Sequence, residues 1–175
     1  MAISAFVVKV PAAEPLAGDL RRRFDATVAL GVPAHITVLV PFMDPSLITA
    51  DVLQRAGRAL QRTPSFMFSL GKVGRFPETA YLAPEPAAPF VAMTLALVAA
   101  FPGFLPYGGE HDGVIPHLSV AHGNARQAEE AAVELQARLL ASGAVHTMCT
   151  EVTLIENSSG RWQDMHVFQL PAANP

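Results

Sequence analysis

The stretch PAHITVLVPF, Pro33 to Phe42, places an imidazole and a hydroxyl inside an apolar, β-branched run. Alternate residues of a strand share a face. Ile36, Val38 and Val40 therefore make one apolar face, and His35 and Thr37 stand side by side on the other. IPHLSVAH, Ile115 to His122, repeats the construction, with Leu118 and Val120 alternating with His117 and Ser119. Both copies follow a proline, Pro33 or Pro116, and both precede a helical pattern, from Asp44 or from Asn124. This weak internal duplication predicts one domain, residues 1–175, made of two similar lobes.

The neighbouring segments extend the same reading. ISAFVVKV, closed by Pro11, is a strand pattern, and EPLAGDLRRRFDA is a short helix ending in three arginines. DPSLITADVLQRAGRALQR has helical spacing, with Asp44, Ser46 or Thr49 as its cap. SFMFSLGKVGRF and TAYLAP form a hairpin about Pro77 and Glu78, and an apolar helix follows around residues 91–100. FPGFLPYGGEHDG is loop by its glycine and proline content and leads to a strand over residues 114–121. The clearest helix runs from an Asn124 N-cap to Gly143, and two strands joined by a polar turn close the chain. The order β-α-β-α-β-β-α-β-α-β-β, with tight turns between strands, is α+β rather than doubly wound. No glycine-rich phosphate loop or dinucleotide fingerprint is present.

Composition narrows the function. Of 175 residues, 51% are hydrophobic and 15% charged, which predicts a compact globular protein. A net charge of −3 supplies no basic field for long nucleic acid, though local Arg or His groups can still hold a small anion. One cysteine, Cys149, excludes an internal disulfide and a cysteine-based zinc cluster. The longest apolar run, residues 89–101, is too short to span a bilayer, and the N-terminus lacks a basic signal region. A cytoplasmic protein, monomeric and without membrane contact, is the expectation.

The paired motifs carry the chemistry. Brought together, the two strands would line a pocket with two imidazoles and two hydroxyls. A neutral imidazole can deprotonate a nucleophile while a protonated one serves the leaving oxygen. Histidine suits both tasks because its pKa of about 6.5 allows both forms near neutral pH. The hydroxyls can donate to non-bridging phosphate oxygens. A single His-x-Ser/Thr pair in a strand would read as core; two copies in matching contexts point to a site.

Other residues weigh less. His122 ends the second motif as a possible substrate contact or a solvated cap, and Arg75 and Tyr81 are candidate contacts for phosphate and base. Phe42 and Phe76 read as core and Trp162 as structural. Arg21, Arg22 and Arg23 read as a solvated helix face, and His111 as surface loop. His146 and His166 read as ordinary strand residues. No cluster with ligand spacing predicts a metal site, and no cofactor is expected.

HITVLVPF followed by PHLSVAH resembles the paired His-x-Thr/Ser signature of the 2H phosphoesterase superfamily, which includes 2′-5′ RNA ligase-like proteins and cyclic phosphodiesterases. GKVGRFPETAYLAPEP resembles that family's middle hairpin, and VTLIENSSGRWQDMHVFQL its closing strands. The resemblance implies a bilobal α+β fold, two antiparallel sheets with flanking helices around a central cleft. It also implies metal-independent opening of a 2′,3′-cyclic phosphate on a small nucleotide or short RNA end. By motif position, His35 and His117 would be the acid–base pair, and Thr37 and Ser119 would hold the phosphate. Two departures stand out. Serine replaces the commoner threonine at 119. His122 stands where RNA-ligase-type members carry an arginine, which favours a small cyclic phosphate over an RNA end. The alternatives are a non-catalytic nucleotide-binding module, an ATP-independent 2′-5′ RNA ligase, and a structural protein with two core histidines.

Overall fold

The structure, a computed structural model, describes residues 1–110 and 112–173. His111 lies outside them. The described residues form eight strands and four α-helices in the order β1 (Ser4–Lys9), α1 (Glu14–Phe24), β2 (His35–Phe42), α2 (Ala50–Leu60), β3 (Phe66–Phe76), β4 (Thr79–Glu85), α3 (Ala88–Ala100), β5 (Leu118–His122), α4 (Ala125–Ser142), β6 (Val145–Cys149), β7 (Glu151–Glu156) and β8 (Gln163–Gln169). They make two antiparallel four-stranded sheets, ordered β2-β1-β7-β8 and β5-β4-β3-β6. The α+β architecture expected from the sequence is therefore present. β6, a strand the sequence order omitted, forms the outer edge of the second sheet by pairing with β3.

Local signals explain the boundaries. Thr49 accepts the Val52 amide and caps α2, whereas Asp44 caps the separate short turn at Pro45–Leu47. Asn124 accepts from the Gln127 amide, and Gly143, at φ +79°, ends α4. β2 continues beyond Val40 through Pro41 to Phe42, because an edge strand tolerates a residue without an N–H. β5 starts only at Leu118: Pro116 has no amide to donate, and pairing with β4 begins after His117.

The helices lock the two sheets together. α1 leaves β1 but packs on β5 and α4, and α3 leaves β4 but packs on β2 and α2. One core results, joining Phe6, Ile36 and Val38 of the first sheet to Leu70, Leu82 and Leu118 of the second. Each such fully buried side chain contributes about 1.5–3 kcal/mol of burial free energy. α3 is apolar around its circumference, burying Phe90, Met93 and Leu97 on one side and leaving Leu95 exposed on the other. Its Thr94 hydroxyl donates to the Val38 carbonyl at 2.7 Å, satisfying an acceptor on the edge strand β2. Phe42 belongs to this core, against Phe6, Phe101 and Phe104, and Trp162 covers Ala5, Val7 and Ile155. No described helix is long and apolar enough to cross a membrane.

Candidate active site

The strands carrying the two motifs are edge strands, one from each sheet, and β2 and β5 meet in the fold. Their burial alternates as the motifs require: Ile36, Val38, Leu118 and Val120 are buried, while His35, Thr37, His117 and Ser119 are partly open. The two histidines are held in the same way. His35 Nδ1 donates to the Pro33 carbonyl at 2.8 Å, and His117 Nδ1 donates to the Ile115 carbonyl at 2.7 Å. A bond of this kind selects the tautomer and leaves Nε2 as the chemically active nitrogen.

Both imidazoles titrate below their ordinary range. Burial depresses His35 most, to about 4; Arg21 and His117 lower it further, while its bond to Pro33 and the Asp25 carboxylate act in the opposite direction. His117 is also lowered, chiefly by burial and then by His122, against the bond to Ile115. His117 is among the groups that lower His35, which places the two imidazoles within electrostatic reach. Both are therefore shifted toward the neutral form.

Around His117 stands an aromatic wall. Phe76 meets its ring edge-on at 5.1 Å, Tyr81 lies at 5.3 Å, and Tyr107 stacks at 6.3 Å. Phe76, which the sequence suggested was core, thus lines the site. Tyr107 comes from the loop before β5, in the left-handed conformation at φ 51°, and its hydroxyl is hydrogen-bonded to Thr37. It links the loop to both motifs. Nothing in the sequence pattern marks it beyond its place in a Gly- and Pro-rich loop.

Register decides the remaining candidates. Thr79, Tyr81 and Gly74 share one face of the second sheet, and Tyr81 pairs with Ser119 and Gly74. A Cβ on Gly74 would overlap the Tyr81 ring, so the glycine lets that ring lie flat across β3. A bulge in β5 adds one residue between Ser119 and Ala121. Simple alternation would give the site face to Ala121; the bulge instead sends Ala121 under α4 and returns His122 to the face of His117 and Ser119. Thr79 Oγ1 fixes His122 through Nδ1 at 2.9 Å. Arg75 is on the opposite face. It pairs with Glu129, and its Nη2 donates to the Ala125 carbonyl at 3.4 Å, both on α4, so it does not face the histidines. Lys9, unremarked in the sequence, is the register partner of His35 on β1 and is paired with Asp164 of β8.

The remaining histidines lie elsewhere: His146 is on β6, and His166, on β8, packs against Phe168. Arg21 corrects the reading of a solvated helix face, being 2% exposed and bound to Asp25 and Val32. Arg22 and Arg23 remain on the surface, as that reading expected.

Comparisons with known proteins place the chain in a family and bear on its fold. The 2′-5′ RNA ligase superfamily profile matches residues 8–161, and the chain belongs to that family, within the 2H phosphoesterase superfamily. LigT of E. coli, solved with 3′-AMP, superposes over 96% of this chain and 97% of its own, with a TM-score of 0.58 and 14% identity. TT0787 of Thermus thermophilus covers 98% of this chain and 100% of its own at a TM-score of 0.60 and 14% identity. LigT solved with NADP+ matches at 0.57, covering 96% and 97%, also with 14% identity. These likenesses concern the fold. No curated protein sequence matches significantly.

Proposed function

We propose that the protein is a phosphodiesterase that opens the 2′,3′-cyclic phosphate of a small nucleotide by paired-histidine catalysis. The observation that carries this reading is the matched pair of edge-strand histidines, each with Nδ1 bound to the carbonyl two residues before it. His35, held neutral by burial and Arg21, takes a proton from water as that water's oxygen bonds to phosphorus. His117 becomes protonated as the phosphate anion enters, since a nearby negative charge favours imidazolium. It returns that proton to the departing 3′-oxygen as the P–O3′ bond breaks, leaving a 2′-phosphate. Thr37 and Ser119 donate to the non-bridging oxygens. The known ligands of LigT, 3′-AMP and NADP+, are nucleotides and support a nucleotide in this cleft. His122, in place of an arginine, favours a small substrate over an RNA end.

Phosphorus NMR with 2′,3′-cyclic nucleotides in the presence of a chelator tests the reading. Conversion to the 2′-phosphate is expected; no conversion of any of the four nucleotides would overturn it. The aromatic wall has its own test. Gly74→Ala displaces Tyr81 and is expected to raise KM about three- to tenfold, roughly 1 kcal/mol of binding. Circular dichroism should remain native, and an unchanged KM would remove Tyr81 from the substrate contacts.

A further inference from the structure

Arg21 is a cationic side chain at 2% exposure, shut off from solvent. Its Nη2 donates to Asp25 Oδ2 at 3.2 Å and to the Val32 carbonyl at 3.1 Å. Its Nη1 lies 3.7 Å from Glu14 Oε1, and that same oxygen accepts the Ala34 amide at 3.1 Å. Asp25 is fixed in turn through Oδ1, which accepts from the Thr27 amide and hydroxyl at 3.0 and 2.6 Å. Val32 and Ala34 flank Pro33, whose carbonyl receives the Nδ1 proton of His35. Directly and through Glu14, one guanidinium therefore holds both neighbours of the residue that orients the imidazole.

Stability does not explain this arrangement. A buried Arg–Asp pair yields little net free energy compared with apolar residues of similar volume. Arg21 Nε, moreover, is buried with no hydrogen-bond partner among the described residues, which is itself a cost. A lysine has one terminal nitrogen where the guanidinium uses two, Nη2 for Asp25 and Val32 and Nη1 toward Glu14, so it could not reproduce this set of contacts.

We propose that Arg21 is a positioning residue for the reaction, clamping the Val32–Ala34 entry to β2 so that His35 Nε2 is held toward the phosphate. This rests on the phosphodiesterase reading above. The charged and titratable groups about His35 are Arg21 and Asp25 from α1 and its end, His117 ahead of β5, Lys9 of β1 with its partner Asp164, and Tyr107 through Thr37. Arg21 is the largest of these that opposes protonation of His35, so removing it also changes the pH response.

The test compares wild type with Arg21→Lys and Arg21→Gln. Arg21→Gln/Asp25→Asn serves if the single Gln variant does not fold, because it leaves no buried carboxylate without a cation, Glu14 being 41% exposed. Steady-state rates on a 2′,3′-cyclic nucleotide are combined with NMR of the 15N-labelled histidine rings. Expected are a kcat at least tenfold lower in each variant with KM near wild type, since what is lost is orientation rather than binding. In Arg21→Gln the acid limb of the pH profile should move to higher pH, because loss of the cation lets His35 protonate more readily. The His35 ring should lose its single Nδ1–H tautomer. Folded variants with unchanged kcat, acid limb and His35 ring signals would overturn the proposal. Absence of turnover in the wild type would instead overturn the functional reading. The ring signals, which need no substrate, would then still decide whether Arg21 holds the imidazole.

Discussion

His35→Ala and His117→Ala are each expected to lower kcat/KM on a 2′,3′-cyclic nucleotide by a factor on the order of 10²–10⁴, the usual contribution of a positioned acid or base. Both should keep native circular dichroism, because neither imidazole belongs to the apolar core that joins the sheets. Thr37→Val and Ser119→Ala should cost less, about ten- to hundredfold, since each removes one neutral donor to the phosphate. The double histidine variant should be little worse than either single, because an acid and a base that act as a unit in one displacement are not additive. Full activity in both single variants would remove the histidines from the mechanism. Loss in only one would leave a site with a single acid–base group.

Acid should destabilise the protein through the same histidines, well above the pH at which carboxylates respond. The His35 pKa is depressed in the folded state, to about 4 from an ordinary 6.5. Between these values the unfolded chain binds the proton that the folded chain refuses, so stability falls as pH falls. The loss begins near pH 6.5 and is complete near pH 4, amounting to about 3 kcal/mol for a shift of this size. His117 acts in the same direction. Asp19, held at about 2 by Arg138, loses its contribution only at lower pH, from about 4 downward. Denaturant unfolding measured from pH 7 to pH 4.5 should therefore show a steep decline for wild type. His35→Asn, whose amide nitrogen takes the place of Nδ1 as donor to the Pro33 carbonyl, should flatten that decline. Parallel curves would show that burial of His35 carries no such cost. A phosphate-containing ligand that protonates His117 on binding should give its largest melting shift on the acidic side of neutrality.

Local pattern made much of this legible. The two motif strands, the hairpin about Pro77 and Glu78, and the Asn124 and Gly143 limits of α4 all follow from short-range chemistry. So does the expectation that His35 and Thr37, like His117 and Ser119, share a face. β6 was legible only in part: His146 reads as a strand residue, but VHTMC has little apolar alternation and becomes a strand by pairing with β3. Tyr107 was not legible: a loop residue reaches a site by the path of its backbone, which no periodicity encodes.

The sequence by itself determined every strand and helix but β6, the α+β class and the two His-x-hydroxyl faces, because strand alternation and helix capping act over a few residues. Only the tertiary structure decided what those faces meet. The order of strands placed β2 and β5 at the edges of different sheets, where their faces can share one cleft. Register put Arg75 on the α4 face, and the β5 bulge brought His122 to the site side in place of Ala121. Packing of α1 against the opposite sheet buried Arg21 behind His35, although its position in RRR looks like a solvated run. These outcomes depend on which distant segments exclude water from a side chain and which partners they supply. That is a property of the assembled sheets and helices, not of any stretch of chain read alone.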